Sequence, residues 1–246
     1  MKFLALLSSM PFESDTILDC SKHVRTDIIA GKQVYKAKFA GVEFLICNTG
    51  IGKVNAAHSA TFLIENFPIG LIINFGIGGA YPGSGLQTGN LAISSKEIYG
   101  DEGVITSTGW DGMKEIGIPL VQTGGKKYFN EYRMAPGLAG KTRASLKRIT
   151  HHAGLITKVK PGNFVTVSAV SGSHKRAVEL EKRFNAVCEN MEGAAVAHVC
   201  TIYKIPMLEL RGISNIVGIR DKAKWDLTLA SENCQRAALE VIKNVI

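Results

Sequence analysis

Apolar residues fall in short runs along this chain, and between the runs they recur at three- and four-residue spacing. The runs predict strands at Lys2–Leu7, Val34–Phe39, Val42–Cys47, Leu71–Phe75, Asn90–Ile98, Asn163–Val167, Ala186–Cys188 and Met207–Gly212. The helical spacing predicts helices over Lys53–Asn66, Leu138–His151, Lys175–Phe184, Glu192–Tyr203 and Trp225–Val245. Strands that alternate with helices imply the α/β class: a three-layer α/β/α sandwich about a central twisted sheet, mixed but mostly parallel. The 246 residues show no linker, repeat or shift of composition, which predicts a single domain over residues 1–246.

Charge and cysteine usage narrow the partners. The net charge is +8, yet the lysines and arginines are spread along the chain and do not gather into a basic run. The stretch GGKKYFNEYRM (Gly124 to Met134) comes nearest to a single-strand-binding patch, and it reads more simply as a solvated loop, so no nucleic-acid partner is expected. Cys20, Cys47, Cys188, Cys200 and Cys234 lack the close spacing of a zinc or redox site, and they predict reduced, mostly buried thiols in a cytoplasmic protein. The apolar start Phe3 to Leu7 is too short for a signal-peptide core, and IGLIINFGIGGAY is cut by glycines well short of a span, so no membrane partner is expected.

Two glycine clusters stand at predicted strand ends, NTGIGKVNAA and NFGIGGAYPGSG. Each lets backbone N–H groups approach a ligand, and each serves equally well as a tight turn. Neither fits a nucleotide template: Tyr81 stands where a dinucleotide fingerprint needs its third glycine, and APGLAGKT has Ala135 where a P-loop needs its first. Among the acids, Glu13 follows the first strand and Glu192 opens the apolar helix NMEGAAVAHVC. Taken alone, Glu13 reads also as a surface acid in a first turn and Glu192 as compensation of a helix dipole. Finally, MLELRGISNIVGIRD (Met207 to Asp221) predicts a strand that leaves the sheet into a loop carrying Ser214 and Asn215.

In order, the segments MPFE, NTGIGKVNAA, NFGIGGAYPGSGLQTGNLAI, NMEGAAVAHVC and LRGISN resemble the superfamily of purine nucleoside phosphorylases and nucleosidases along essentially the whole chain. Within it the nearest branches are the methylthioadenosine/S-adenosylhomocysteine nucleosidases and the futalosine hydrolases. The stretches GAYPGSGLQTG, IYGDEGV and RGISNIVGIRD are most similar to the latter, which release hypoxanthine from futalosine in an alternative menaquinone pathway. The resemblance implies a nucleoside phosphorylase/hydrolase-like fold, a nucleoside substrate, a homodimer or higher homo-oligomer, and no cofactor or metal. By the same correspondence, Glu13 orients and deprotonates the attacking water. Glu192 grips the ribose hydroxyls and favours the positive charge that grows on the sugar. Met191 packs on the ribose face, Val170 and Ser171 cover the base, and Gly50, Ile51, Gly78, Gly79 and Ser214 complete the substrate pocket.

Two departures select within the superfamily. The phosphorylases carry an arginine just before the second glycine loop, whereas Asn74 and Phe75 stand there in this chain, which favours water over phosphate as the nucleophile. Arg211, close in sequence to the predicted site, keeps a phosphorylase open as an alternative. In the adenine-releasing nucleosidases the residue after the serine is an aspartate; here it is Asn215. An amide accepts from a protonated N7 and donates to a 6-oxo group, a pairing suited to hypoxanthine. A turn-forming Asn, a catalytic acid at Asp221, an adenine-releasing enzyme and a non-catalytic nucleoside-binding module are the remaining readings.

Overall fold

A computed structural model of the chain describes residues 2–135, 137–152 and 158–246, with the backbone alone at 148–152. Its main sheet contains β1 (Phe3–Ser8), β2 (Lys22–Ile29), β3 (Lys32–Phe39), β4 (Val42–Asn48), β5 (Ile69–Ala80), β6 (Leu91–Tyr99), β7 (Glu131–Arg133), β8 (Val159–Thr166), β9 (Ala186–Asn190) and β10 (Met207–Ile216). Around it pack α1 (Asp15–Cys20), α2 (Lys53–Asn66), α3 (Leu138–His152), α4 (His174–Phe184), α5 (Gly193–Tyr203) and α6 (Leu227–Asn244). No helix among the described residues is long and apolar enough to cross a membrane.

The order of pairing begins at an exposed hairpin of β2 and β3 and runs through β4 and β1 to β5. There the sheet branches. β10 pairs with β5 in parallel from Met207↔Ile72 to Ile216↔Ala80, while β9 meets the end of β5 antiparallel, with Glu189 opposite Gly79. Since β9 also pairs β8, β8 pairs β6 and β6 pairs β10, these five strands close into a ring. Glycine makes the closure possible, because it lets neighbouring strands and side chains come close. A Cβ on Gly78 would stand 2.7 Å from Cys188 Sγ, and one on Gly79 would stand 2.7 Å from Val217 Cγ2.

Closure corrects the expected three-layer sandwich about a mostly parallel twisted sheet. Helices do cover both faces: α2 and α5 bury Ala56, Leu63, Ala194 and Val196 on one side, and α6 buries Cys234, Ala238 and Val241 on the other. Between them, however, lies a sheet that curls into a barrel, with five parallel and five antiparallel pairings, so it is evenly mixed and not mostly parallel. Two strands also run further than their apolar cores predict. β5 continues through the glycine cluster to Ala80, and β10 continues to Ile216, so Ser214 and Asn215 sit on a strand and not in a loop. The basic stretch Gly124 to Met134 likewise contributes a small ribbon, Val121–Thr123 with Lys126–Tyr128, and the edge strand β7.

Candidate active site

A cavity of about 420 Å³ opens where β5, β9 and β10 reach their ends, and of the residues that the resemblance assigns to the site all but Gly50 line it. Gly50 stands behind the rim, its N–H donating to Ser9 O at 3.0 Å, while its neighbour Ile51 faces the opening. Asp221 is not among the lining residues; it is exposed and caps a short turn by accepting from Ala223 N at 3.1 Å.

Glu13 ends a single 3₁₀ turn that β1 delivers into the protein, and it is fully buried, not a surface acid. Its Oε2 accepts from Ser9 Oγ and Met10 N, both at 2.7 Å, and its Oε1 accepts from Ile77 N at 2.8 Å. Three donors fix this carboxylate as an acceptor aimed at the cavity. Any side chain at Gly76, which holds φ +148°, would collide with it.

Glu192 occupies the N-cap position of α5, but the cap itself is made by Asn190, whose Oδ1 accepts from Glu192 N at 3.0 Å and Gly193 N at 2.7 Å. Glu192 is thereby released from compensating its own helix. Its Oε1 accepts from Gly52 N at 2.9 Å, in the first glycine loop, and its Oε2 lies 3.6 Å from Arg211 Nη2. Burial raises this carboxyl above its ordinary range, while Arg211 and the Gly52 N–H oppose the rise.

Sequence reasoning missed a charge cluster beneath the cavity floor. Arg211 is almost wholly buried; its Nε donates to Glu209 Oε1 at 2.9 Å and its Nη1 to Ile77 O at 3.1 Å. Nη2 stands 2.9 Å from the same Glu209 oxygen, yet it makes no well-aligned hydrogen bond. Behind them Glu97 accepts from Asn190 Nδ2 and Thr166 Oγ1, each at 2.8 Å, and hydrogen-bonds Glu209. A side chain at Gly193 would run into both carboxylates. Burial first, and then the charge of Glu209, push Glu97 well above the ordinary carboxylate range, so of this facing pair it is the one that favours the proton. The remaining Glu209 oxygen, Oε2, is buried and meets no nitrogen or neutral hydroxyl among the described residues. The signal was in the sequence: charged residues within the predicted strands of ISSKEIY and MLELRG.

The far end of the cavity is less charged. Val170, Ser171, Gly78, Gly79, Ser214, Asn215 and Val217 gather there. Ser214 Oγ donates to Asn215 Oδ1 at 2.8 Å, and Asn215 Nδ2 donates to Ile216 O at 3.2 Å. An amide has two acceptor positions and two donor hydrogens, so one of each remains for a ligand. Ser171 is held by Glu189, another residue that sequence reasoning missed, and the same loop is tied down where Ser168 N donates to Asp101 Oδ2 at 2.6 Å.

The family model described as the phosphorylase superfamily matches residues 4–245 of this chain. The chain belongs to the phosphorylase superfamily. A futalosine hydrolase of Thermus thermophilus is 36% identical over 202 residues, covering 82% of both proteins. A 5'-methylthioadenosine/S-adenosylhomocysteine nucleosidase of Bacillus subtilis is 28% identical over 98% of this chain and 99% of its own length. Among solved structures, the Neisseria meningitidis nucleosidase in complex with methylthio-immucillin-A superposes with TM-score 0.83 at 22% identity, covering 99% of each chain. A Borrelia burgdorferi structure described as a putative nucleosidase bound to adenine also gives 0.83, at 26% identity over 99% of this chain and 100% of that one. The superfamily resemblance carried by the five sequence segments is thus confirmed. Its characterised relatives are nucleosidases, and this member of the phosphorylase superfamily is an enzyme of that class.

Proposed function

We propose that this nucleosidase hydrolyses the N-ribosidic bond of futalosine and releases hypoxanthine. The observation that carries the reading is Asn215: a neutral amide at the base end of the cavity, with one donor and one acceptor left. Those two groups match the O6 acceptor and the protonated N7 of a departing 6-oxopurine, whereas a 6-amino group would meet the amide donor with a donor of its own. The Thermus relative's name points the same way.

Chemistry proceeds at the opposite end. Glu13, fixed by three donors, takes the proton of a water that attacks C1′, and Glu192 holds the ribose hydroxyls as positive charge develops on the sugar. Arg211, beneath the floor, balances the two acids. Its presence does not favour phosphate, because Glu13, Glu192 and Glu209 surround this one guanidinium and would repel a dianion.

The rim supports the remainder of the substrate. Met10, Phe12, Ile51, Ile219 and Leu227 are apolar, exposed and around the cavity, and Arg220 stacks on the Trp225 ring at 4.9 Å. An apolar collar with a guanidinium suits the carboxylated aromatic end of futalosine. The exposed apolar side chains Val54 and Ile105 fit an enzyme that works as a homo-oligomer, and buried free thiols fit the cytoplasm.

The test follows release of free base from futalosine, inosine and methylthioadenosine, with and without phosphate. Release of hypoxanthine from futalosine in phosphate-free buffer, with methylthioadenosine largely refused, supports the proposal. Adenine release at a comparable rate makes the enzyme a methylthioadenosine-type nucleosidase; release that needs phosphate makes it a phosphorylase; no release in either buffer leaves a binding module.

A further inference from the structure

We infer that Lys53 and Asp101 are positioning residues for this reaction: their ion pair fastens the glycine loop that holds Glu192 to the loop over the base, so that the ribose end and the base end of the cavity close as one unit. The inference rests on the nucleoside-hydrolase reading above, which gives Glu192 to the ribose and Val170 and Ser171 to the base.

Neither residue lines the cavity, so each acts only through a neighbour. On the ribose side Gly52 N donates to Glu192 Oε1 at 2.9 Å, and Lys53 follows Gly52 as the first residue of α2. On the base side Ser168, Ala169 and Val170 are exposed, so burial does not hold this span in place. Asp101 ties its start, accepting from Ser168 N at 2.6 Å, and Glu189 ties its end, accepting from Ser171 N at 2.9 Å. The two sides meet in one carboxylate: Asp101 takes Ser168 N on Oδ2 and the Lys53 ammonium on Oδ1. A chain of contacts thus runs from Glu192 through Gly52, Lys53 and Asp101 to Ser168, behind the substrate and without touching it.

A lysine is a poor way to start a helix. Positive charge in the first turn opposes the helix dipole, and α2 has no acid in that turn to offset it. Lys53 is nevertheless held at 14% side-chain exposure, over the Tyr99 ring at 4.9 Å, with Glu102 Oε1 as a partner at 2.9 Å. A cation so far out of water needs an acid, and Glu102 alone supplies one. The second acid, Asp101, is the one that also carries Ser168. Neutralising Lys53 does not require that extra bond; joining the two loops does.

Two half-ligands test the link without turnover. By calorimetry, the free base that the native protein prefers, hypoxanthine or adenine, reads the base end, and a cationic iminoribitol reads the ribose end. Lys53→Met, made on the ribose side, should weaken the base by about 5- to 20-fold. Asp101→Asn still accepts from Ser168 N but turns an amide donor toward Lys53, and it should weaken the iminoribitol by a similar factor. The double variant should lose no more than either single one, because both cut the same link. Lys53→Arg, which keeps the charge, should restore most of the affinity, and Glu102→Gln, which leaves the link whole, should change little. Thermal unfolding checks that each variant is folded; should Lys53→Met fail to fold, Asp101→Asn with the iminoribitol decides alone. Losses confined to the ligand on the mutated side, losses that add in the double variant, or a loss in Glu102→Gln equal to that in Asp101→Asn overturn the inference and leave a local ion pair. Native protein that binds neither half-ligand removes the nucleoside-site reading and the inference with it, whereas binding of both with no effect across the link removes the inference alone.

Discussion

Glu13 and Asn215 stand at opposite ends of one cavity, and their substitution should separate rate from choice. Glu13→Gln keeps the size of the side chain and an oxygen for the donors from Ser9 and Met10, at the loss of the one from Ile77 N, and it cannot take a proton from water. Turnover should fall by at least ~10²-fold, the usual scale for a general base, with substrate affinity little changed; steady-state kinetics and a binding isotherm check this together. Near-native turnover would remove Glu13 from the chemistry. Asn215→Asp has a different signature. It puts an acceptor opposite a 6-amino group and a proton donor opposite N7, so the ratio of kcat/KM for 6-amino over 6-oxo nucleosides should rise by roughly 10- to 100-fold. Competition between paired nucleosides measures it, and an unchanged ratio would make Asn215 a purely structural amide.

At the scale of elements, the contact between β10 and α6 is set by Gly212. A Cβ there would strike the Ala230 carbonyl, with the carbonyl carbon only 2.7 Å away, and backbone cannot step aside as a side chain can. Gly212→Ala should cost about 1–3 kcal/mol of stability, read from the urea midpoint. It should also lower turnover, because Arg211 and Asn215, the proposed base reader, ride on the same strand. Native-like stability would show that α6 shifts freely.

The elements themselves were largely legible from periodicity: α2 matches its predicted span, and most other boundaries shift by a residue or two. What escaped has physical causes. β2, with the sequence KHVRTDII, lies exposed and polar, and only its pairing with β3 makes it a strand. β5 and β10 outran their predicted ends because glycines and polar residues, which read locally as stops, are paired in the closed ring. The site was legible in its acids only through the resemblance, since no local pattern distinguishes buried Glu13 from a surface turn. Glu97, Glu189 and Glu209 were overlooked, and Arg211 was weighed only as a phosphate ligand, because charge in or beside a strand counts against that strand until the fold supplies partners.

Across the whole molecule, the buried carboxylates set a dependence on pH. Glu97 holds its proton in the folded state well above the ordinary carboxylate value of 4.5 and loses it near that value when unfolded. Between those two limits the native state binds the extra proton. Its stability contribution is therefore full in acid and drains away as pH rises, by at most about 1.4 kcal/mol per pH unit. Glu97→Gln can keep a donor for Glu209 and an acceptor for Asn190, while Thr166 Oγ1 can give its hydrogen to Asn190 Oδ1 instead. The substitution should flatten the loss of melting temperature as pH rises above the ordinary carboxylate value, as differential scanning calorimetry would show; an unchanged slope would mean that the proton resides elsewhere. The rung that β9 and β10 share at Gly79 reaches further than any single residue. A single-residue insertion or deletion in β5 would shift its register with β9 and β10 at once, so it would disturb the seating of Glu189 and Asn215 together. Point replacement at 189 or 215 leaves that ladder intact. If the base is read as proposed, one or two substitutions on this ring would exchange one nucleobase for another, and the barrel that constrains the folding is what leaves the diet open.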